Sequence, residues 1–421
     1  MSIHHPKIET ADRDYLRQIQ IERLQATANR AYRHVPYYRD LFDQAGFLPE
    51  DIHSLKDLAR LPLTKREDLV AHQPYGLFAV PLHDVLRLQP AAGAGGPIVV
   101  GYTRNDIANW TQMSERAFVS AGVTSADVIQ ISLDYALDSA AMGAQSGAEA
   151  LGASVIPCPG LSPERQAEVM RAYRATVLVA TPTQALQLGR VVQNFEATAL
   201  SLRVALIVGE VWSSELRQEI EDALKVEAFA SFGLSEMTAP GLATECCEHK
   251  GLHLSEDHVL AEAVNPQTGQ PVAEGEQGEL VLTTLTREAV PLLRYRTGNL
   301  TRLIQEPCPC GRTLLRFAPT FERSDDIFLV NGVRVSPHQI NEVVHDLVPG
   351  ADVSMDVIEE EGVEELRISI SIGASWTGSE MRDLELTRAH VRLHVFERLG
   401  LHARIRLVEP YRRQRACYED D

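Results

Sequence analysis

Between about residues 98 and 240, short runs of β-branched residues alternate with stretches of helical periodicity, and this pattern constrains the fold more than any other feature. The segments 126–132, 153–157, 175–180 and 203–208 read as buried strands, whereas 105–120, 163–173, 182–195 and 214–224 read as helices. A strand cannot return parallel to its predecessor without a long crossover, and a helix is the usual crossover. The alternation therefore predicts a parallel sheet covered by helices. Upstream, residues 15–45 carry apolar positions three and four apart, with Pro36 breaking the run. Downstream, residues 254–303 alternate apolar and polar positions between Asn265-Pro266, Thr268-Gly269 and 276–278 turns. That change predicts a smaller β subdomain, about 241–325. After Asp325-Asp326, which reads as a hinge, residues 326–421 predict a second, small α+β domain with strands at 327–330 and 365–372 and a helix at 338–347. The expected organisation is α/β, with a large N-terminal domain at 1–325.

The 421 residues carry a formal charge of −18, which argues against a dominant nucleic-acid or anionic-membrane surface. The polar start has no apolar run resembling a signal peptide, and no stretch approaches the ~20 apolar residues of a membrane span. A cytoplasmic location is the expectation. In a reducing compartment the six cysteines are read first as metal ligands rather than as disulfides.

Several motifs lie in one order along nearly the whole chain. They are Tyr32-Arg33-His34-Val35-Pro36-Tyr37-Tyr38-Arg39, Leu61-Pro62-Leu63-Thr64-Lys65, Gly101-Tyr102-Thr103, Ser231-Phe232-Gly233-Leu234-Ser235-Glu236, Tyr295-Arg296-Thr297 and Arg323-Ser324-Asp325-Asp326. With these motifs the chain resembles the phenylacetate–CoA ligases of the acyl-adenylate-forming superfamily. The resemblance implies a large adenylate-forming domain, a small mobile C-terminal domain and a two-step reaction. ATP activates an aryl acid as its acyl-AMP, and CoA then captures the acyl group. It also implies a small aromatic acid as substrate and association in pairs.

Three devices of adenylation are altered relative to that family. The phosphate loop corresponds to residues 91–97, Ala-Ala-Gly-Ala-Gly-Gly-Pro, which keeps Gly93, Gly95 and Gly96 but has no hydroxyl and no lysine. Backbone N–H groups there still suit an anion, but each missing charge-assisted contact is worth roughly 1.5–3 kcal/mol. The ribose-gripping aspartate is replaced by Asn299, while Arg323 matches the second ribose-facing position. The tail 407–417 holds three arginines and no lysine, and a guanidinium fork does not replace a point charge in a tight site. Glu236 matches the magnesium-associated glutamate, Glu210 lies in the segment near the adenine pocket, and Phe232 stands where a tyrosine is usual. Taken together, these changes favour acyl chemistry on an aryl acid, CoA thioester or carrier-bound acyl group without adenylation, leaving ATP and Mg²⁺ in doubt. An ATP-dependent aryl acid–CoA ligase and a non-catalytic scaffold are the alternatives.

The resemblance further assigns Cys246, His253, Cys308 and Cys310 as a structural zinc site, with Cys247 and His249 as spare candidates. Three thiolates and an imidazole suit tetrahedral Zn²⁺ with no open position. In the segment corresponding to the acyl pocket, Asp134 and Asp138 are four apart and would share a helical face, as an acid–base pair or a grip on an amine. The competing reading makes Asp138 a helix cap and Asp134 a solvated group. Tyr135 is a candidate for stacking on an aromatic substrate. Cys158 follows a strand, and a buried structural thiol is its expected role.

Overall fold

The protein's structure, a computed structural model, describes residues 3–91, 98–135, 139–193, 200–209, 212–319, 322–325, 327–330, 333–360, 363–371, 381–399 and 401–408. It divides into two compact units, Met1–Asp325 and Asp326–Asp421.

The first unit begins with α1 (Pro6–Glu9), α2 (Arg13–His34), α3 (Pro36–Ala45) and α4 (Arg66–Ala71). Asp12 caps α2 by accepting from the Tyr15 amide at 2.8 Å, and Pro36 starts α3 at the position where proline's fixed φ favours a helix. Strands β1 (Arg87–Ala91) and β2 (Ile98–Tyr102) pair antiparallel, with Ala91 opposite Ile98 at the ends of the glycine-rich segment. Then come α5 (Arg104–Ser120), β3 (Val128–Ile131), α6 (Ser139–Leu151), β4 (Ser154–Pro157), α7 (Pro163–Ala172), β5 (Val177–Ala180), α8 (Pro182–Val192), β6 (Val204–Val208), α9 (Ser214–Leu224) and β7 (Glu227–Phe232).

The β3–β7 strands are parallel in the order β7-β6-β5-β3-β4, as the alternation predicts. All five residues of β6 are buried, and each larger side chain contributes roughly 1.5–3 kcal/mol. Helices cover the sheet closely where side chains are small. A Cβ on Gly143 of α6 would lie 2.4 Å from the buried Trp110 indole of α5, so only glycine admits this approach.

Strands β8 (Ala243–Thr244), β9 (Leu252–Leu254), β10 (Val259–Val264), β11 (Gln277–Thr284), β12 (Tyr295–Ile304) and β13 (Arg316–Phe317) complete the first unit. They do not form a sheet of their own. β8 pairs antiparallel with β7, joining Ser231 to Thr244, and the series runs on to give one sheet ordered β10-β11-β12-β13-β9-β8-β7-β6-β5-β3-β4. The β pattern at 254–303 is therefore continuous with the parallel sheet. The edge of β7 offers unpaired backbone groups that the next strand satisfies.

The second unit contains β14 (Phe328–Val330), β15 (Val333–Val335), α10 (Pro337–Leu347), β16 (Asp352–Glu360), β17 (Val363–Ser371), α11 (Met381–Leu399) and β18 (Ala403–Val408). β16 and β17 are antiparallel, and β18 returns parallel to β17 after α11. Its core, including Val344, Ile368, Val391 and Ile405, is its own. Among the described residues no helix is long and apolar enough to cross a membrane.

Candidate active site

The C-terminal ends of β3–β7 lie on one side of the parallel sheet, where open α/β folds place their ligands. Glu236 follows β7 and is 1% exposed. Its carboxylate pairs with the buried Arg66 guanidinium, accepts from the Tyr295 hydroxyl at 3.1 Å and lies 3.4 Å from the Ser235 hydroxyl. Arg66 reaches this point because Thr64 bridges Tyr295 in parallel register, exchanging backbone bonds with Arg294 and Arg296 at 2.9 Å each. The second guanidinium arm of Arg66 lies 3.5 Å from the carbonyl of Ala91, where the glycine-rich segment starts. Arg66 lies in no sequence motif, and Tyr295 opens one in which its hydroxyl has no assigned role. An arginine opening a short helix reads as a solvated charge, and only the Thr64–Tyr295 bridge turns it inward.

Asn299 and Arg323 are brought together. They form an isolated antiparallel bridge, and Arg323 donates to Asn299 Oδ1 at 3.0 Å and to the Thr297 carbonyl at 3.1 Å. Asp325 completes the cluster by accepting two bonds from Arg323 at 2.7 and 2.8 Å. A Cβ on Gly298 would lie 2.2 Å from Asp325 Oδ2, so the glycine leaves room for that carboxylate. Asp325, read from sequence as part of a hinge, thus shares the Arg323 guanidinium with the amide of Asn299. Phe232 is half-buried, with its ring edge on Phe317 at 5.3 Å between centroids.

Of the Asp134–Asp138 pairing only Asp134 falls among the described residues, where it is exposed and lies ahead of α6. Asp138 lies outside the described residues, as do Gly93, Gly95, Gly96, Glu210 and the arginine-rich part of the tail beyond Val408. Tyr135 packs on the core cluster that includes Ile131 and Leu133. Its hydroxyl is buried and has no hydrogen-bond partner among the described residues, and burial pushes its pKa up to about 12. Cys158 is buried after β4, and burial raises its thiol pKa, which makes it a poor nucleophile.

Remote from the strand ends, Cys246, His253, Cys308 and Cys310 present ligand atoms all within 4.8 Å of one another. The topology assembles them. Cys246 follows β8, His253 lies in β9, and the two other cysteines sit in the turn between β12 and β13, which pairs with β9. Gly311, at φ +91°, permits that turn. The Cys246–Cys308 separation is 3.7 Å and the Cys310–His253 Nε2 separation 3.5 Å. Tetrahedral zinc with ordinary bond lengths gives edges of ~3.8 Å and ~3.6 Å, so the residues fit the ion. Hydrogen bonding from Cys246 depresses the Cys310 thiol well below its usual range, so a thiolate is available there. The spare candidates are turned elsewhere. Cys247 is exposed, and His249 is engaged by Arg217 at 2.9 Å and Glu227 at 3.2 Å.

Comparison with known proteins gives the same architecture a lineage. The AMP-binding enzyme family model matches residues 98–285. Over 403 residues the chain is 38% identical to a phenylacetate-coenzyme A ligase of Thermus thermophilus, covering 93% of this chain and 90% of the relative. The chain belongs to the phenylacetate–CoA ligase family. A second member, from Escherichia coli K12, is 42% identical over 80% of this chain and 78% of its own length. Among solved structures, a 2-hydroxyisobutyryl-CoA ligase in complex with 2-HIB-AMP and CoA superposes with a TM-score of 0.90 at 25% identity. That match covers 99% of this chain and 91% of that one. These relatives are ligases, and nothing in the comparisons supports acyl chemistry without adenylation.

Proposed function

We propose that the protein is an ATP-dependent ligase that joins an aryl carboxylic acid to coenzyme A through an acyl-adenylate. The observation that carries this reading is the likeness to a phenylacetate-coenzyme A ligase over nine-tenths of both chains. The buried Arg66–Glu236–Tyr295 group and the Asn299–Arg323–Asp325 cluster support it by offering charged groups for a nucleotide. In the first step a carboxylate oxygen of the acid attacks the α-phosphorus of ATP and pyrophosphate leaves. In the second, the CoA thiolate displaces AMP.

Arg66 supplies a cation beside the glycine-rich segment, which has no lysine of its own. Buried and held by Glu236, it is fixed before substrate binds, and such a fixed charge stabilises developing negative charge without reorganisation. Asn299 and Arg323 would receive the ribose, with the Asp325 carboxylate holding Arg323 in place. Tyr135, four residues beyond β3, would give its buried hydroxyl to the acid substrate. Cys246, His253, Cys308 and Cys310 would hold Zn²⁺, which cross-links the β8–β9 region to the β12–β13 turn and takes no part in the reaction.

Purified protein given ATP, Mg²⁺ and phenylacetate should release pyrophosphate, and added CoA should yield the thioester. No pyrophosphate across a panel of aryl acids, together with no calorimetric ATP binding at millimolar concentration, would overturn the reading. The metal assignment has a separate test. Removal with a strong chelator, or the change Cys308→Ser, should lower the unfolding temperature, with recovery on adding Zn²⁺ only in the unmodified chain.

A further inference from the structure

The N-terminal segment is fastened to the metal-binding turn and to α5 by buried polar contacts. Glu9 is 1% exposed and accepts from Arg312 Nε at 2.6 Å, while Arg312 also lies 3.8 Å from the Cys310 sulfur. The Thr313 amide donates to the Glu9 carbonyl at 2.9 Å, and its hydroxyl donates to the Ala11 carbonyl at 2.6 Å. Glu9 reaches back to the His5 amide at 2.7 Å, which closes the first turn and fixes the direction of the two residues before α1.

Those residues are a histidine pair. The His4 and His5 rings stand edge-on with centroids 4.6 Å apart, and His4 Nε2 lies 3.6 Å from Glu115 Oε2 on α5. One ligand atom from each of His4, His5 and Glu115 falls within 4.8 Å of the others, and all three side chains are partly buried. Glu115 pairs with His4, and the Glu9 carboxylate that accepts from the His5 amide is engaged by Arg312. Arg116 does not oppose a cation strongly, because Asp257 neutralises it through two bonds of 2.7 and 2.8 Å.

We propose that His4, His5 and Glu115 form a second metal site, for a borderline divalent ion such as Zn²⁺, Co²⁺ or Ni²⁺, distinct in chemistry from the cysteine-rich cluster. Two imidazoles and one carboxylate suit such ions and leave the remaining coordination positions to water. Ligand atoms around one ion stand ~3–3.5 Å apart, so binding draws the widest pair together by roughly 1 Å, within the reach of side-chain rotation. The consequence is a clasp. An ion here ties residues 4 and 5 to α5, and through Glu9 and Arg312 it braces the turn that carries Cys308 and Cys310.

Cobalt is the probe, because sulfur ligation gives an intense charge-transfer band that nitrogen and oxygen ligation lack. Full-length protein carrying one equivalent of Zn²⁺, which the three thiolates take first, is titrated with Co²⁺ by calorimetry and visible absorption. The expected result is uptake of one further equivalent with weak bands only, and affinity for it falling roughly tenfold or more in both His4→Ala and Glu115→Gln. In those variants the metal bound by the cysteines should stay unchanged, which also reports that they are folded. Cobalt uptake that is absent from the zinc-loaded protein, or equally strong in both variants, overturns the proposal.

Discussion

Asn299 concentrates the question of nucleotide use in one atom. Its Oδ1 accepts from Arg323, so the amide directs an N–H₂ group, a donor, toward any further ligand. An aspartate there would satisfy Arg323 with one oxygen and leave the other to accept from ribose. Asn299→Asp should therefore lower the KM for ATP by about tenfold, the worth of one charge-assisted bond. An unchanged KM in steady-state pyrophosphate release would place the ribose elsewhere. Arg66 tests a different energy. Removing one member of a buried ion pair strands the other, whereas replacing both is often neutral. Arg66→Met should cost about 3–5 kcal/mol in denaturant unfolding, and Arg66→Met with Glu236→Gln should recover most of it. Additive losses in that cycle would mean that the two side chains do not interact. Both variants should lose activity, since the cation is gone in each.

At the scale of elements, the turn between β9 and β10 shows how buried charge ties layers together. Glu256 takes two bonds from Arg13 of α2, at 2.5 and 2.8 Å, and Asp257 takes two from Arg116 of α5. His258 follows them into the interior with Nδ1 2.8 Å from the Thr286 hydroxyl, and burial lowers its pKa from 6.5 to about 4. Between those two values the unfolded chain takes up a proton that the folded chain refuses, so stability falls as pH drops from about 6.5 toward 4. The loss from this residue is on the order of 3 kcal/mol by the lower end of that window. Burial acts to raise the Asp257 pKa, but His258 and Arg116 outweigh it and hold the carboxyl below its usual value. Its contribution is therefore lost only at still lower pH. Urea unfolding at neutral pH and near pH 5 should show the slope, and His258→Gln should flatten it. An equal slope in the variant would assign the titration to another group.

At the scale of the molecule, the two units have separate cores. The apolar clusters of 1–325 and those of the remainder share no residue. A chain cut after Asp325 should fold, and unfold cooperatively by calorimetry, while a fragment starting at Asp326 should do the same alone. A molten or insoluble 1–325 would show that its core depends on the second unit. The fold was largely readable from the chain. Runs such as 204–208 have no polar face, so they must be strands buried on both sides, and Pro36, Pro163 and Pro182 mark helix starts through their fixed φ. The site was readable only in part. Glu236, Asn299, Arg323 and the clustered cysteines and histidine carry recognisable motifs, but Arg66 carries none and Asp325 reads as part of a hinge.

The sequence by itself determined the order of strands and helices, because periodicity and proline are local properties written residue by residue. It determined the family too, through motifs spread in one order along the chain. Only the tertiary structure decided that β8 continues the parallel sheet, that Arg66 turns inward to Glu236, and that His4 and His5 meet Glu115. The last two outcomes depend on residues more than a hundred positions apart, and what brings them together is the shared burial of a core and the need to pair each buried charge.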